Sequence, residues 1–257
     1  QGFAQGLREW GYLPGQNIVI ERRYANGQPE RLVALAAELV RMKVAVIIAA
    51  GPAPREAASR ATRAIPIIAV SGSDPMQEGW AVSLAHPGGN QTGLTVTVPE
   101  LTAKHLELLK SAFPQVQRVA VLFAPDELLN AYAIVRELGV DAQRLGLSMQ
   151  ALEIRRPADV DGAFSQARQH KAQACYAIAT NLIVTNRSRI AALAIQDRLP
   201  SISEFPWMAQ AGFLMAYGAD LEDLHRRAIA QLHKILKGAR AGDLPIERPT
   251  KLQLTVN

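Results

Sequence analysis

Apolar residues in this chain follow two spacings. Residues 44–50 (Val-Ala-Val-Ile-Ile-Ala-Ala) and Arg118–Phe123 (Arg-Val-Ala-Val-Leu-Phe) are continuous apolar runs of strand length. That is the pattern of parallel strands covered on both faces. Leu32, Leu35, Ala36 and Leu39 recur at helical spacing instead, behind Pro29, which suits a first helical turn.

The two patterns alternate. The first series predicts strands at 18–21, 44–50 and 65–70, an extended segment at 92–98 and a helix at 55–63. Gly51-Pro-Ala-Pro54 breaks one strand, and 71–75 is a turn in which Ser73 or Asp74 caps a following helix. The second series predicts helices at 99–112, 127–145, 159–170 and 182–198. Its strands are 118–123, 148–154, 174–179, 200–203 and 212–217. Asp220 then caps a helix carrying Leu221, Leu224, Ala228, Ile229, Leu232 and Leu236, and Gly238 stops it.

Such alternation is the signature of an α/β fold with two doubly wound, parallel-sheet lobes. The expected division is 1–95 plus 215–257 for the N-terminal lobe and 96–214 for the C-terminal lobe, with hinges near 92–98, 204–217 and 248–256. In parallel sheets, ligands bind beyond the carboxyl ends of the strands. The rule selects loops 51–54, 71–75, 123–126, 179–181 and 203–205, which meet at one ligand cleft between the lobes if the lobes face each other.

Composition narrows the functional classes. The chain has 257 residues, 49% of them hydrophobic and 20% charged, which allows a sizeable core. No apolar run approaches the roughly 18–20 residues that span a bilayer. The formal charge is +5, but Lys and Arg are scattered beside Glu and Asp rather than clustered, so no nucleic-acid partner is expected. The lone Cys175 lies in a predicted buried strand and reads as a small core residue.

The loops carry no catalytic fingerprint. There is no Gly-x-Gly-x-x-Gly, no phosphate-binding Gly-x-x-x-x-Gly-Lys-Ser/Thr and no Gly-x-Ser-x-Gly elbow. Pro52 and Pro54 lack the amide protons a phosphate cradle uses. Ser71 and Ser73 follow a strand, but no histidine lies in a matching loop. A two-thiol racemase needs a second cysteine. His86, His105, His170, His225 and His233 lack metal-ligand spacing. No catalytic residue, metal or cofactor is therefore expected.

What the loops offer is small and polar groups. Gly51, Pro52, Ala53, Ser71, Ser73, Asp74, Asp126, Thr180, Asn181 and Glu204 are the candidate ligand contacts, with Phe205 and Tyr217 as apolar or stacking surface. Each has a structural alternative: Asp74 as a cap, Thr180 and Asn181 as a strand end, Glu204 as a solvated acid.

Several stretches together resemble one family. They are 5–12 (Gln-Gly-Leu-Arg-Glu-Trp-Gly-Tyr), 15–21 (Gly-Gln-Asn-Ile-Val-Ile-Glu), 27–32 (Gly-Gln-Pro-Glu-Arg-Leu), 49–51 (Ala-Ala-Gly), Asp74-Pro75, and 85–90 (Ala-His-Pro-Gly-Gly-Asn) with 92–94 (Thr-Gly-Leu). Further along come 106–110 (Leu-Glu-Leu-Leu-Lys) and the stretch from Gly238 through Leu244-Pro245 to 249–251 (Pro-Thr-Lys). In these the chain resembles ABC-transporter substrate-binding proteins of the tryptophan-binding-protein-like group.

The resemblance implies the periplasmic-binding-protein-like I fold and a monomeric receptor, periplasmic or lipid-anchored, that delivers a small molecule to the transmembrane subunits of an ABC permease. It points weakly to an amino acid or aromatic carboxylate as ligand. It also implies a first strand before Gln1 and a further helix after Asn257. Pro125-Asp126 departs from the Asn-Pro common in relatives, and the acid could change the charge that the site prefers. Two other classes share the architecture: the effector lobes of a transcriptional regulator, and a two-lobed enzyme.

Overall fold

The computed structural model describes residues 2–72, 74–96, 100–128 and 130–257. It divides into two compact units, Gln1–Thr97 with Asp220–Lys251, and Val98–Ala219 with Leu252–Asn257.

The first unit opens with α1 (Gly2–Glu9), α2 (Leu32–Arg41), β1 (Ile47–Ala50), α3 (Pro52–Ala61), β2 (Ile67–Ser71) and β3 (Gln91–Thr95). The second contains α4 (Glu100–Ala112), β4 (Arg118–Phe123), α5 (Ala131–Arg144), β5 (Ser148–Glu153), α6 (Asp159–Gln169) and β6 (Ala174–Ala177). It continues through α7 (Asn181–Thr185), α8 (Arg187–Gln196), β7 (Ser201–Ser203), α9 (Pro206–Gln210) and β8 (Met215–Ala219). Then α10 (Leu221–Leu236) returns to the first unit, and β9 (Leu252–Val256) goes back to the second.

In the first unit the strands lie in the order β1-β2-β3, all parallel, with Ile47 opposite Ile67 and Ile67 opposite Gln91. Ile47, Ala49 and Ile67 pack on Ala58 of α3, with Leu39 and Val40 of α2 beside them. Gly93 is required in β3: its φ is +151°, and a Cβ there would collide with the backbone of Ala69.

The second sheet runs β5-β4-β6-β7-β8-β9. Its pairs are parallel except β8 with β9, which are antiparallel. Strand period 2 divides β4 between two cores. Val119, Val121 and Phe123 join Leu106, Leu109 and Leu138 on one face. Ala120 and Leu122 join Phe164 and Ile190 on the other. The same split puts Tyr176 in the first core and Cys175 in the second.

Several expectations need correction. Residues 18–21 form no strand; Ile18 makes one isolated bridge to Pro14, and Val19 is 79% exposed. Without a neighbouring strand their backbone groups cannot build a ladder. After Asp74 there is a hydrogen-bonded turn rather than a helix, closed by Glu78 N–H to Asp74 O and Trp80 N–H to Pro75 O. The helix predicted from residue 127 begins at Ala131, because Pro125–Glu127 forms a 3-10 turn and Asn130 takes a left-handed φ of 58°. The helix predicted over 182–198 is two, divided at Asn186, whose carboxamide donates to Leu182 O. Neither α9 nor β9 was expected.

The division of the chain also differs. Both 215–219 and 252–256 pair within the second sheet, so they belong to the second unit and not to the N-terminal lobe. The crossings fall after residues 97, 219 and 251. The hinge placed at 204–217 therefore lies inside the second unit, and residues 97 and 98 of the first hinge lie outside the described residues.

Cys175 is 1% exposed, and burial pushes its thiol up to about 12. A thiolate is the reactive form. Alkylation by iodoacetamide at pH 8 should therefore be negligible in native protein and complete in denaturant, as counted by intact mass.

Candidate functional site

A crevice between sheet strands opens where strand order reverses. In the second unit that point is β4, with β5 on one side and β6 on the other. The loops beyond β4 and β6 carry Asp126, Thr180 and Asn181, and the next strand end carries Glu204 and Phe205.

The loop after β6 is held at nearly every step. Ile178 N–H reaches Leu122 O at 3.0 Å. Ala179 N–H donates to Glu204 Oε2 at 2.7 Å. Thr180, 8% exposed, caps α7 by accepting from Ile183 N–H at 3.5 Å, a long bond. Leu182 N–H donates to Glu127 Oε2 at 2.8 Å, which ties this loop to the one after β4. Asn181 is exposed, and its carboxamide bonds no other described residue.

Glu204 is half-buried and already engaged. Beyond Ala179 it accepts from the Tyr176 hydroxyl at 2.8 Å, and the Ser203 hydroxyl lies 3.0 Å from Oε2 and 2.7 Å from Ala177 O. Burial, with the adjacent Glu204 carboxylate, holds the Tyr176 hydroxyl well above the usual phenol range, so Tyr176 remains the donor. Beneath it lies His105, 1% exposed, its ring stacked on Tyr176 with centroids 4.9 Å apart. His105 Nε2 is 2.6 Å from Tyr217 O. A carbonyl only accepts, so the proton belongs on Nε2. His105 is a packed histidine that fixes β8 against α4.

Tyr217 is half-buried on β8, edge-on to His105 at 6.2 Å. Phe205 stacks on Trp207 with centroids 4.7 Å apart. Asp126 is exposed and paired with Arg155 at 2.7 Å; the same guanidinium meets Glu153 at 2.9 Å and the Tyr132 hydroxyl at 2.8 Å. The charge that set Asp126 apart in the sequence is thus balanced within its own unit.

In the first unit, Gly51 (φ +100°) ends β1 and caps α3, and its N–H bonds Val70 O at 2.8 Å. Pro52 and Pro54 sit inside the first helical turn rather than breaking the chain, which leaves Ala53 as the donor among the first three helical positions. Ser71 ends β2, and Ser73 lies outside the described residues. The Asp74 carboxylate accepts from the N–H groups of Met76 at 2.9 Å and Gln77 at 3.1 Å, so it caps a turn.

The structure brings together Thr180, Asn181 and Glu204 in one unit, and Gly51, Pro52, Ala53 and Ser71 on adjacent strand ends of the other. Sequence reasoning missed Glu127, Tyr176 and His105. Their roles come from pairings tens of residues apart, and no local pattern announces them. Among the described residues no group of three or more His, Cys, Asp or Glu could hold a metal. A shallow depression lined by Phe113, Arg198, Pro200 and Leu214 lies at the amino ends of β7 and β8, away from these loops.

Gly218 makes room for the site, since a Cβ there would collide with the Glu204 carbonyl oxygen. Gly218→Ala should cost about 1–3 kcal/mol by overpacking. Urea unfolding measures it, and unchanged stability would mean that the backbone of Glu204 is not tightly placed.

Comparison with known proteins extends over the whole chain. A family model described as ABC transporter substrate binding protein matches residues 1–257. The tyrosine-binding protein of Clostridioides difficile (strain R20291) is 28% identical over 257 residues, all of this chain and 73% of that relative. A conserved domain protein from Vibrio cholerae has a solved structure with a TM-score of 0.89 and 25% identity, covering 100% of this chain and 86% of that one. The ABC domain solved with L-Trp from Streptococcus pneumonia gives a TM-score of 0.86 at 21% identity, with the same coverage. The shared fold is the periplasmic-binding-protein-like I fold.

Proposed function

Because this chain belongs to the family of ABC transporter substrate binding proteins, we propose that it is the receptor of an importer for an amino acid with an aromatic side chain. Proteins of this family bind small molecules and deliver them to ABC permeases, and they are typically extracytoplasmic. Among the described residues no helix is long and apolar enough to cross a membrane. We place this receptor in the periplasm or on a lipid anchor, working as a monomer and performing no chemistry.

The observation that carries this reading is the loop Ile178–Leu182. Its backbone donors are taken by Glu204, Glu127 and Thr180, and Asn181 is left exposed, its carboxamide bonding none of the described residues, at the point where strand order reverses. A rigid loop offering one free amide is a preorganised polar contact, which lowers the ordering cost of binding. Phe205 before α9, Trp207 within α9 and Tyr217 within β8 supply half-buried aromatic surface in the same unit. The tyrosine-binding relative supports the choice of amino acid. Thr180 and Glu204 act by shaping the loop, and Gly51, Pro52, Ala53 and Ser71 are the candidate contacts at the strand ends of the first unit.

Isothermal titration with L-tyrosine and L-tryptophan tests the reading. One-to-one binding is expected, with a thermal shift worth about 2.7 kcal/mol at a hundredfold excess over Kd. Asn181→Ala should weaken binding about tenfold, near 1.4 kcal/mol. The exposed Asn181 should matter little to the apo protein, so its unfolding free energy should move by less than about 0.5 kcal/mol. Silence across the twenty amino acids, or turnover of any of them, would overturn the proposal.

A further inference from the structure

Within the first unit, α1 and α10 lie side by side with their carboxyl ends together. A Cβ on Gly2 would meet Glu222, one on Gly6 would meet Arg226 and Ile229, and Trp10 stacks on His233 with ring centroids 4.4 Å apart. The Tyr12 hydroxyl is 3.0 Å from His233 Nδ1, and Tyr12 N–H donates to Leu7 O at 2.8 Å, so the two helix ends are tied to each other. One face of the Trp10 indole is thus held against an imidazole, while 41% of the residue stays exposed.

Around this indole the surface is apolar and cationic. Leu236 and Lys237 follow His233 by three and four residues, so they share its side of α10. Leu236 is 39% exposed. Lys234 and Lys237 are exposed at the end of α10, and Arg8 is exposed in the last turn of α1. The carboxylates nearest them in sequence face other cations: Glu9 is 4.0 Å from Arg226, and Asp243 is 3.9 Å from Arg240. One cation per helix end answers the helix dipole. That leaves a second lysine on α10 and the supported, half-exposed indole without a structural task. Charge is also uneven between the units: the first has sixteen Lys and Arg against twelve Asp and Glu, the second twelve against eleven.

We propose that this end of α1 and α10 is a docking surface for an anionic lipid bilayer. Indole rings settle at the headgroup level of a membrane, where their apolar body and polar edge are both accommodated. Lysines beside them gain from the negative surface potential. The cations are spread over two helix ends rather than gathered around one point, which suits a layer of headgroups better than a single bound anion. Three charges at about fivefold each give reversible association, of the strength that supplements an anchor rather than replacing one. The role goes beyond the solute-binding reading and involves no solute.

Co-sedimentation with vesicles of phosphatidylcholine containing about one-third phosphatidylglycerol tests the proposal. Wild type should bind these vesicles, come off them in high salt, and ignore pure phosphatidylcholine. Lys234→Gln combined with Lys237→Gln should weaken binding about twenty-fivefold. Arg136→Gln combined with Lys171→Gln removes the same charge from exposed positions of the second unit and should leave binding nearly unchanged. Vesicles with brominated acyl chains should quench tryptophan fluorescence in wild type and not in Trp10→Phe, which keeps an aromatic ring over His233. Absence of binding to the anionic vesicles at low salt, equal loss in the two lysine and arginine pairs, or quenching that survives Trp10→Phe overturns the proposal. If Trp10→Phe does not fold, the charge variants decide on the same criterion. A protein that binds vesicles but no amino acid counts against the ligand assignment alone, and one that binds an amino acid but no vesicles counts against this surface alone.

Discussion

Two-sided burial of the central parallel strands is the constraint from which the rest of the structure follows. β4 and β6 give alternate side chains to two separate apolar cores, so a polar group on either face, such as the Tyr176 hydroxyl, must find its partner within the protein. Their ladders consume the backbone donors and acceptors along their length. Unspent hydrogen-bonding capacity can appear only at strand ends. The reversal of strand order at β4 then sends the helices leaving its neighbours to opposite sides at one end of the sheet.

Most polar groups at that end are nonetheless structural. Glu127 and Glu204 brace one loop from opposite sides, and Asp74 does the same for a turn in the first unit. An unbraced connection would sample many shapes and lose affinity to ordering. The carboxylates remove that cost before any ligand arrives.

Much of this was legible in the sequence, for reasons that can be named. The run Arg118–Phe123 was delimited correctly because five successive apolar residues leave few alternatives to a doubly covered strand. Asp220 was recognisable as a cap because its partner, Asp223 N–H, is local. The failures were non-local. Residues 18–21 have strand-like composition, but a strand needs a neighbour that composition does not reveal. β9 exposes Leu252, Leu254 and Val256 and so shows no burial pattern. In the site, the loops were found from strand ends alone. The part played by Glu204 was not, since its partner Tyr176 is 28 residues away and the sequence does not show which lone pairs are taken.

The interleaving of the two units has a consequence for biosynthesis. The first unit lacks α10 until residue 236 is made, and the second lacks its last strand until residue 256. Domains commonly fold one after another as the nascent chain emerges. Here neither can be completed in turn, because each waits for residues beyond 219. The growing polypeptide therefore holds two unfinished units until the residues beyond 219 have been made.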